Sequence, residues 1–294
     1  MPTLAALITY YRGTDADDMD AALESLAAQT RPAESIVIVR DGPVEAATRD
    51  VVKRFLDAHP EADHVKLTQN RGAGPALVEG MRHVDAEWVA RLDSDDVATP
   101  GRFERQLAYL EEHPGVDVLG TALREFDDEV FRETGSLERA ARGVRTLPEN
   151  HPQIVRYARL NSPVNHPSVM MRTAAARRAG GYRDVHLMED YDLWARMLAT
   201  GARFHNLPEP LTWFRTSPAQ TGRRTGWDMF AAERTMQRNL VSYGLVSKPR
   251  AVLNFLVRSA YRLLPTALLE RAYALLFHRR GTTDAAPGAG EAAD

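Results

Sequence analysis

The sequence predicts an α/β protein with a doubly wound, mostly parallel central sheet covered by helices on both faces. Three observations support this prediction. Four apolar segments alternate with three helical segments before residue 93. The first apolar segment, residues 4–9, shows no polar alternation, as expected of a central strand that is covered on both faces. Polar or glycine-rich residues follow each predicted strand, so the strand ends open on one edge of the sheet.

The predicted elements follow in chain order. Strands are predicted at residues 4–9, 35–39, 64–68 and 88–92, and helices at 17–28, 44–58 and from a glycine-rich turn at 70–75 to residue 81. A helix at 102–112 and a strand at 116–120 come next. Residues 127–150 lack a clear period and predict a loop or short helices that cover the site. Further predictions are a strand at 167–172, a helix at 188–199 and short strands at 203–207 and 211–215.

Three aspartates, Asp93, Asp95 and Asp96, follow the fourth strand directly. Ligands of open α/β sheets bind at the carboxyl ends of the strands. Carboxylates two positions apart in a turn can converge on a hard divalent cation that also takes phosphate oxygens. The alternative is a helix cap from Asp96 or Thr99, with Pro100 at the first helical position. Capping needs one carboxylate and this turn supplies three, which favours the metal site.

The other strand ends carry groups that suit a nucleotide. Thr9 and Tyr11 end the first strand, Asp41 ends the second, and residues 70–74 form a glycine-rich turn. An aromatic ring can face a base, a carboxylate can accept from a base or ribose, and backbone amides can hold a pyrophosphate. The alternatives are ordinary loop packing for Tyr11 and a turn residue for Asp41. The sequence has no Walker A motif, which argues against a P-loop ATPase.

Composition excludes several classes of function. The 294 residues contain no cysteine, so disulfides, a thiol nucleophile and cysteine metal ligands are excluded. The net charge of -3 gives no case for nucleic-acid binding. The first residues do not resemble a signal peptide, and no apolar run approaches the ~20 residues of a membrane-spanning helix. We therefore expect a cytoplasmic protein.

The C-terminal part is helical in composition from residue 227, with breaks expected near Gly244, residues 248–249 and Pro265. Six arginines and the single acid Glu270 lie within residues 250–280. Such basic amphipathic helices can lie on an anionic membrane surface. The alternative is that they pack on the sheet domain or in a homodimer, with the arginines in solvent. We predict a main domain at 1–226, a helical appendage at 227–281 and a disordered tail at 282–294.

The ordered motifs resemble those of the family 2 glycosyltransferases. They are Thr9 and Tyr11, QT at 29–30, DG at 41–42, NRG at 70–72, LDSDD at 92–96 with Pro100, HPSVMMR at 166–172, GGY at 180–182 and EDYDLW at 189–194. The resemblance covers residues 4–215. It implies an inverting, metal-dependent enzyme of the GT-A fold that uses a nucleotide-diphosphate sugar.

The resemblance also implies roles for individual residues. Thr9, Tyr11 and Asp41 would hold the base, with Arg71 nearby. Asp93 would contact the ribose or the metal, and Asp95 would ligate a Mg²⁺ or Mn²⁺ ion.

Asp190 of the ED pair would be the catalytic base. Inversion requires one carboxylate to take the proton of the acceptor hydroxyl on the face opposite the leaving group. Glu189, Asp190 and Asp192 all offer a carboxylate, and like-charge crowding should raise the pKa of at least one of them. The alternative for Asp190 is an N-cap of the predicted helix.

Two motifs depart from the family pattern. Arg40 stands where many relatives have an acid before DG, and Arg215-Thr216-Ser217 stands in place of Arg-x-His. We hypothesise that Arg215, Arg223 and Arg224 clamp the diphosphate. The absence of a QxxRW sequence favours transfer of one sugar per acceptor.

The sequence therefore predicts transfer of one sugar, with inversion, from a nucleotide-diphosphate donor, UDP-linked in our interpretation. The acceptor would be a glycan or a polyprenyl-diphosphate-linked saccharide. The C-terminal motifs YRLLP and LLERAYALL are similar to those of exopolysaccharide and O-antigen glycosyltransferases at the inner membrane face, which implies peripheral membrane contact. The alternatives are a sugar-phosphate nucleotidyltransferase and a non-catalytic scaffold of a polysaccharide assembly.

Overall fold

The protein is described by a computed structural model that covers residues 2–217 and 227–262. Its strands are β1 (Leu4–Tyr11), β2 (Ser35–Asp41), β3 (Ala62–Lys66), β4 (Trp88–Asp93), β5 (Val97–Ala98), β6 (Val118–Asp127), β7 (Ala141–Arg145), β8 (Met170–Arg172) and β9 (Phe204–Thr216). Its helices are α1 (Ala16–Ala27), α2 (Ala46–Ala58), α3 (Ala73–His83), α4 (Arg102–Glu112), α5 (Asp128–Thr134), α6 (Leu137–Ala140), α7 (His151–Ala158), α8 (Thr173–Arg178), α9 (Glu189–Ala199), α10 (Trp227–Ser242) and α11 (Lys248–Arg262).

The sheet has the order β3-β2-β1-β4-β8-β6-β9-β5, and β7 pairs with β6. β1 runs parallel to β2 and β4, and β3 runs parallel to β2. β8 is antiparallel to both of its neighbours, β4 and β6. The predicted parallel βαβ units are thus confirmed in the first half of the chain, while the second half is mixed.

Two apolar layers cover the sheet. On one face, β1 packs with α1, α2 and α4 through side chains such as Leu23, Phe55 and Phe103. On the other face, β1 and β4 pack with α3, α8 and α9 through side chains such as Leu77 and Trp194. Each central strand is apolar on both sides because both of its faces are buried.

The second half of the sheet differs from the prediction in three places. The strand predicted at 116–120 is the longer β6, and residues 127–150 form α5, α6 and the unpredicted strand β7. The two strands predicted after residue 203 are one strand, β9, whose pairing with β6 shifts register near Pro210. Pro208 and Pro210 lack amide protons, so this part of the strand cannot form a regular ladder.

The two C-terminal helices pack against the sheet domain, in the order α9, α10, α11. Met188, Tyr191 and Ala195 of the α9 region form one apolar cluster with residues of α10, including Met236 and Leu240. No helix among residues 2–217 and 227–262 is long and apolar enough to cross a membrane. The break predicted at Pro265, the rest of the predicted appendage and the tail at 282–294 lie outside the described residues.

Candidate active site

The predicted donor residues at the ends of β1, β2 and β4 lie on one face of the sheet. In the register of the sheet, Thr9 pairs with Asp93 and Tyr11 pairs with Asp41. Side chains alternate between faces along a strand. Thr9, Tyr11, Asp41 and Asp93 therefore share the face that packs against α3, α8 and α9. The sequence-predicted convergence of these strand ends is present in the structure.

Asp41 holds the turn that opens α3. Its two carboxylate oxygens accept hydrogen bonds from the amides of Arg71 and Gly72, each at 2.8 Å. Gly42 has a positive φ of 81°, and a Cβ atom there would lie 2.3 Å from the amide nitrogen of Asn70. The DG and NRG motifs thus form one unit. The side chains of Asn70 and Arg71 in this unit are exposed, as is Tyr11 on the neighbouring strand.

The acidic turn between β4 and β5 is held by hydrogen bonds from several elements. The Arg215 amide donates to Asp96 Oδ1 at 2.9 Å, and Arg215 Nε donates to the carbonyl of Asp95 at 2.9 Å. Gln29 donates to the carbonyl of Thr99 and accepts from the amide of Phe103 in the first turn of α4. These contacts fix both the turn and the helix that follows it.

The capping alternative for the acidic turn is wrong. Helix α4 begins at Arg102, its N-cap is Gly101, and no side chain of its own segment caps it. Gln29 from the end of α1 supplies the acceptor instead. The aspartates of the turn therefore have no capping function, and Pro100 is not the first helical residue.

The three aspartates offer a fitting site for a divalent cation. Oxygen atoms of Asp93, Asp95 and Asp96 all lie within 4.8 Å of one another. Asp96 is fully buried, and its Oδ2 atom has no hydrogen-bond partner among the described residues. Burial, followed by the charges of Asp95 and Asp93, raises the pKa of Asp96 well above its ordinary value. An oxygen-rich, negatively charged site of this kind is what Mg²⁺ or Mn²⁺ requires.

Asp190 lies in the first turn of α9, where the helix dipole favours negative charge. Its Oδ1 atom accepts from the Tyr191 amide at 2.7 Å, and its Oδ2 atom accepts from Ser162 Oγ at 3.3 Å. The N-cap of α9 is Met188, with no side-chain hydrogen bond to the helix end. The N-cap alternative for Asp190 is therefore wrong.

Three polar side chains, His166, Tyr182 and Glu189, form a cluster that lies within electrostatic reach of both Asp93 and Asp190. His166 Nε2 lies 2.9 Å from the Tyr182 hydroxyl, which joins the HPS and GGY motifs. Burial lowers the pKa of His166, and the charges of Arg91, Asp93 and Asp190 all act on this ring. Asp93 and Asp190 thus lie within electrostatic reach of the same histidine.

Glu189 belongs to this cluster and titrates near neutrality. Burial, and next the charge of Asp190, raise the pKa of Glu189 to about 7. The predicted pKa shift among the crowded acids is therefore present at Glu189. The Asp192 side chain is fully buried, pairs with Arg196 and accepts hydrogen bonds from Asn239 and Tyr243. Its function is to connect α9 with α10.

Arg215 does not have the diphosphate-clamping position that we hypothesised. It is 3% exposed, and its guanidinium contacts Asp18 at 3.0 Å and Asp128 at 2.6 Å while lying over the Phe126 ring. Its contacts are all structural, so it positions the acidic turn. Arg223 and Arg224 lie outside the described residues.

Sequence reasoning missed the role of Arg91. This buried arginine in β4 donates to Asp93 Oδ1 at 2.7 Å and to Thr9 Oγ1 at 3.1 Å. A charged residue inside an otherwise apolar central strand was the available signal, because buried charges require partners. The sequence analysis noted Gln29 only as part of the QT motif and did not predict that it holds the acidic turn and the start of α4.

The comparisons with known proteins agree with this geometry. A model of "Glycosyl transferase family 2" matches residues 5–179. The amylovoran biosynthesis glycosyltransferase AmsE of Erwinia amylovora is 34% identical, covering 92% of this chain and 97% of that protein. An Escherichia coli protein named UDP-Gal:alpha-D-GlcNAc-diphosphoundecaprenol beta-1,3-galactosyltransferase is 27% identical, covering 95% and 98%.

Solved structures show the same fold. S. aureus TarS 1-349 in complex with UDP-GlcNAc matches with a TM-score of 0.63 and 16% identity, covering 93% of this chain and 73% of that one. The chain spans 45% of a longer TarS structure. The mannosyltransferase PcManGT of Pyrobaculum calidifontis, in complex with GDP-Man and Mn²⁺, matches with a TM-score of 0.55 and 17% identity, covering 94% and 80%. The fold is GT-A, and the chain belongs to glycosyl transferase family 2.

Proposed function

We propose that this chain is an inverting, metal-dependent glycosyltransferase that transfers one sugar from a UDP-sugar to a polyprenyl-diphosphate-linked or other glycan acceptor in surface polysaccharide biosynthesis. The observation that carries the proposal is the acidic turn, in which oxygen atoms of Asp93, Asp95 and Asp96 lie within 4.8 Å of one another. The candidate base Asp190, in the first turn of α9, acts electrostatically on the same histidine as Asp93. The name of the E. coli relative supports the UDP donor and the lipid-linked acceptor.

In the proposed mechanism Asp93 and Asp95 would hold the cation, and the buried Asp96 adds a third carboxylate to the same turn. When bound, the cation would counter the negative charge that grows on the departing diphosphate. The chain contributes the rigidity of this site. Arg215 fixes the backbone of the turn, and Arg91 fixes the Asp93 carboxylate.

Asp190 takes the proton of the acceptor hydroxyl in this proposal. The first turn of α9 stabilises its negative charge, and Ser162 orients one of its oxygens. Burial and the charge of Asp190 raise the pKa of Glu189 to about 7, so this neighbour is half protonated at neutral pH. Asp192 is excluded by its buried ion pair. Between Glu189 and Asp190, the resemblance to the family motif supports Asp190 as the base.

The nucleotide is proposed to contact Thr9, Tyr11, Asp41, Arg71 and Asp93. The exposed Tyr11 ring and Arg71 side chain offer direct contacts to a base. Asp41 already accepts from two amides, but each carboxylate oxygen has a second lone pair for a base N–H or a ribose hydroxyl. Asp41 thus orders the Arg71 turn and can still bind the donor.

The location of the proposed acceptor indicates where in the cell the enzyme works. A polyprenyl-linked acceptor is held in a membrane, so we propose that the enzyme works at its cytoplasmic face. We also propose that residues 1–226 form the catalytic domain and residues 227–281 an appendage fixed to it through Asp192 and α10.

Thermal-shift measurements with UDP-sugars and Mn²⁺ test the donor and the metal site. A donor at a hundredfold excess over its Kd should stabilise the protein by about 2.7 kcal/mol. Asp95→Asn should remove the metal-dependent part of the shift, whereas Asp50→Asn, an exposed acid on α2, should retain it. NMR of the product should show an inverted anomeric centre. Release of pyrophosphate from a nucleoside triphosphate would instead indicate a nucleotidyltransferase.

A further inference from the structure

Helix α11 turns its apolar side chains towards solvent. Val252, Leu253, Leu256 and Val257 are 60%, 52%, 57% and 50% exposed. Their spacing places them on one side of the helix, and the exposed Pro249 and Ala260 extend the same side at its two ends. We call this set the α11 outer face. In a helix that only covered a domain, this face would be polar.

The inner side of α11 is polar and is fixed by hydrogen bonds. Asn254 donates to the carbonyl of Arg159 at 2.7 Å. Arg258 pairs with the fully buried Glu233 of α10 at 2.7 Å and donates to the carbonyl of Leu160 at 2.8 Å. These buried contacts fix the rotation of the helix about its axis. The exposure of the α11 outer face therefore follows from specific contacts on the opposite side of the helix. They also contradict the expectation that the arginines of this region all face solvent.

The charges beside the α11 outer face identify its partner. The helix contains no acidic residue, and Lys248 and Arg250 are exposed at its start. Residues 259–280 add four arginines, at positions 262, 271, 279 and 280, and one acid, Glu270. A second copy of this helix would bring no acidic side chain to these cations. An anionic phospholipid surface provides both the apolar layer and the opposite charge.

We propose that the α11 outer face docks on an anionic phospholipid bilayer. The docking helix is close to the candidate base, because Arg258 Nη1 donates to Asn161 Oδ1 at 2.9 Å and the next residue, Ser162, donates to Asp190. A protein docked through this face holds the start of α9 near the membrane surface. This inference deepens the proposed function. It rests on that function for the idea that the acceptor is anchored in the membrane.

Flotation of the full chain with vesicles tests the docking. We expect binding to phosphatidylcholine vesicles that contain about a third phosphatidylglycerol, and weaker binding to phosphatidylcholine alone. Leu253→Ser with Leu256→Ser should weaken binding about tenfold or more, because less apolar surface enters the bilayer. Lys248→Ser with Arg250→Ser should also weaken it about tenfold or more, and added salt should weaken wild-type binding.

A double variant on α2, Lys53→Ser with Asp57→Ser, changes two exposed helix positions outside the α11 outer face and should bind as wild type does. Unchanged flotation of the leucine variant would overturn the proposal. A wild-type dimer that the leucine variant dissociates, without vesicle binding, would assign the face to a second copy. A lowered melting temperature of that variant, without vesicle binding, would assign it to the chain itself. If the docking proposal is right and the proposed function is wrong, the protein will bind the vesicles but will transfer no sugar to a water-soluble acceptor.

Discussion

The acidic turn and the start of α9 both act on the cluster around His166, but the structure holds them with different rigidity. The turn is fixed by Arg215 from β9 and by Gln29 from the end of α1. Among the residues that the structure describes, Asp190 has only its neighbouring amide and the long 3.3 Å contact from Ser162. A metal site needs ligands in fixed positions, whereas a proton acceptor must exchange its hydrogen-bond partner for substrate. The difference in rigidity thus matches the two proposed roles.

Substitution of the loosely held carboxylate should give the largest effect on turnover. Asp190→Asn removes the proton acceptor and should lower kcat by about 10²–10⁴-fold. Donor affinity and its metal dependence should remain, because the acidic turn is intact. Asp228→Asn, an exposed acid at the same second position of α10, is the matched control. A parallel loss of donor affinity in Asp190→Asn would show that the two acidic regions do not have separate roles.

Substitution of the residue that fixes the turn should cost mainly stability. Arg215 and Arg132 both contact Asp18 and Asp128, but Arg215 is buried and Arg132 is 43% exposed. Arg215→Met removes the buried partner of Asp18 and Asp128 and leaves them only the exposed Arg132, so it should lower the free energy of unfolding by about 3 kcal/mol. Arg132→Met should cost less than about 1 kcal/mol because its ion pairs are solvated. Urea unfolding measures both, and equal losses would contradict the proposed rigidity of the turn.

The pH dependence of stability tests the cluster between the two regions. Folding raises the pKa of Glu189 from 4.5 to about 7, so the folded state binds this proton more tightly than the unfolded state. The resulting stability is fully present below pH 4.5 and is lost as the pH rises to about 7. In the absence of donor and metal, Glu189→Gln should remove this pH-dependent loss of stability. Between pH 4.5 and 8 the urea midpoint of the wild-type protein should therefore fall relative to that of the Glu189→Gln variant. Parallel curves would contradict the raised pKa of Glu189.

The smallest effect is expected at Ser162. Its hydroxyl contacts Asp190 at 3.3 Å, a long hydrogen bond. Ser162→Ala should lower kcat about 3–10-fold and leave both KM for the donor and the melting temperature nearly unchanged. A loss as large as that of Asp190→Asn would mean that the base is positioned as firmly as the metal site.

Much of the first half of the fold could be predicted from the sequence. Apolar runs and helical periodicity located β1 to β4 and α1 to α4, because each of these elements buries a regular pattern of side chains. The strand predicted at 167–172 is present as the shorter β8, but its antiparallel direction could not be predicted, and β7 was not predicted at all. Three- to five-residue strands carry too little pattern to reveal their partners or direction.

The candidate site residues that directly follow a strand could be predicted from the sequence. The contacts between site residues that lie far apart in the chain could not. The aspartates at the end of β4 and the ED pair were visible in sequence. The inward position of Arg215 was not, because its partners Asp18 and Asp128 are 197 and 87 residues away in the chain. Asp41 was expected to face a ligand, and nothing in the sequence pattern indicates that two backbone amides already donate hydrogen bonds to it.

The fully buried carboxylate of Asp192 accepts hydrogen bonds from Asn239 and Tyr243 near the end of α10. The family match ends at residue 179, before α9 begins. A fragment that ends at residue 179 would lack α9 altogether, and one that ends before residue 227 would expose the apolar residues around Met188 and leave Asp192 without two of its donors. We therefore expect the proposed catalytic domain of residues 1–226 to need α10 in order to fold, and shorter expression fragments should misfold.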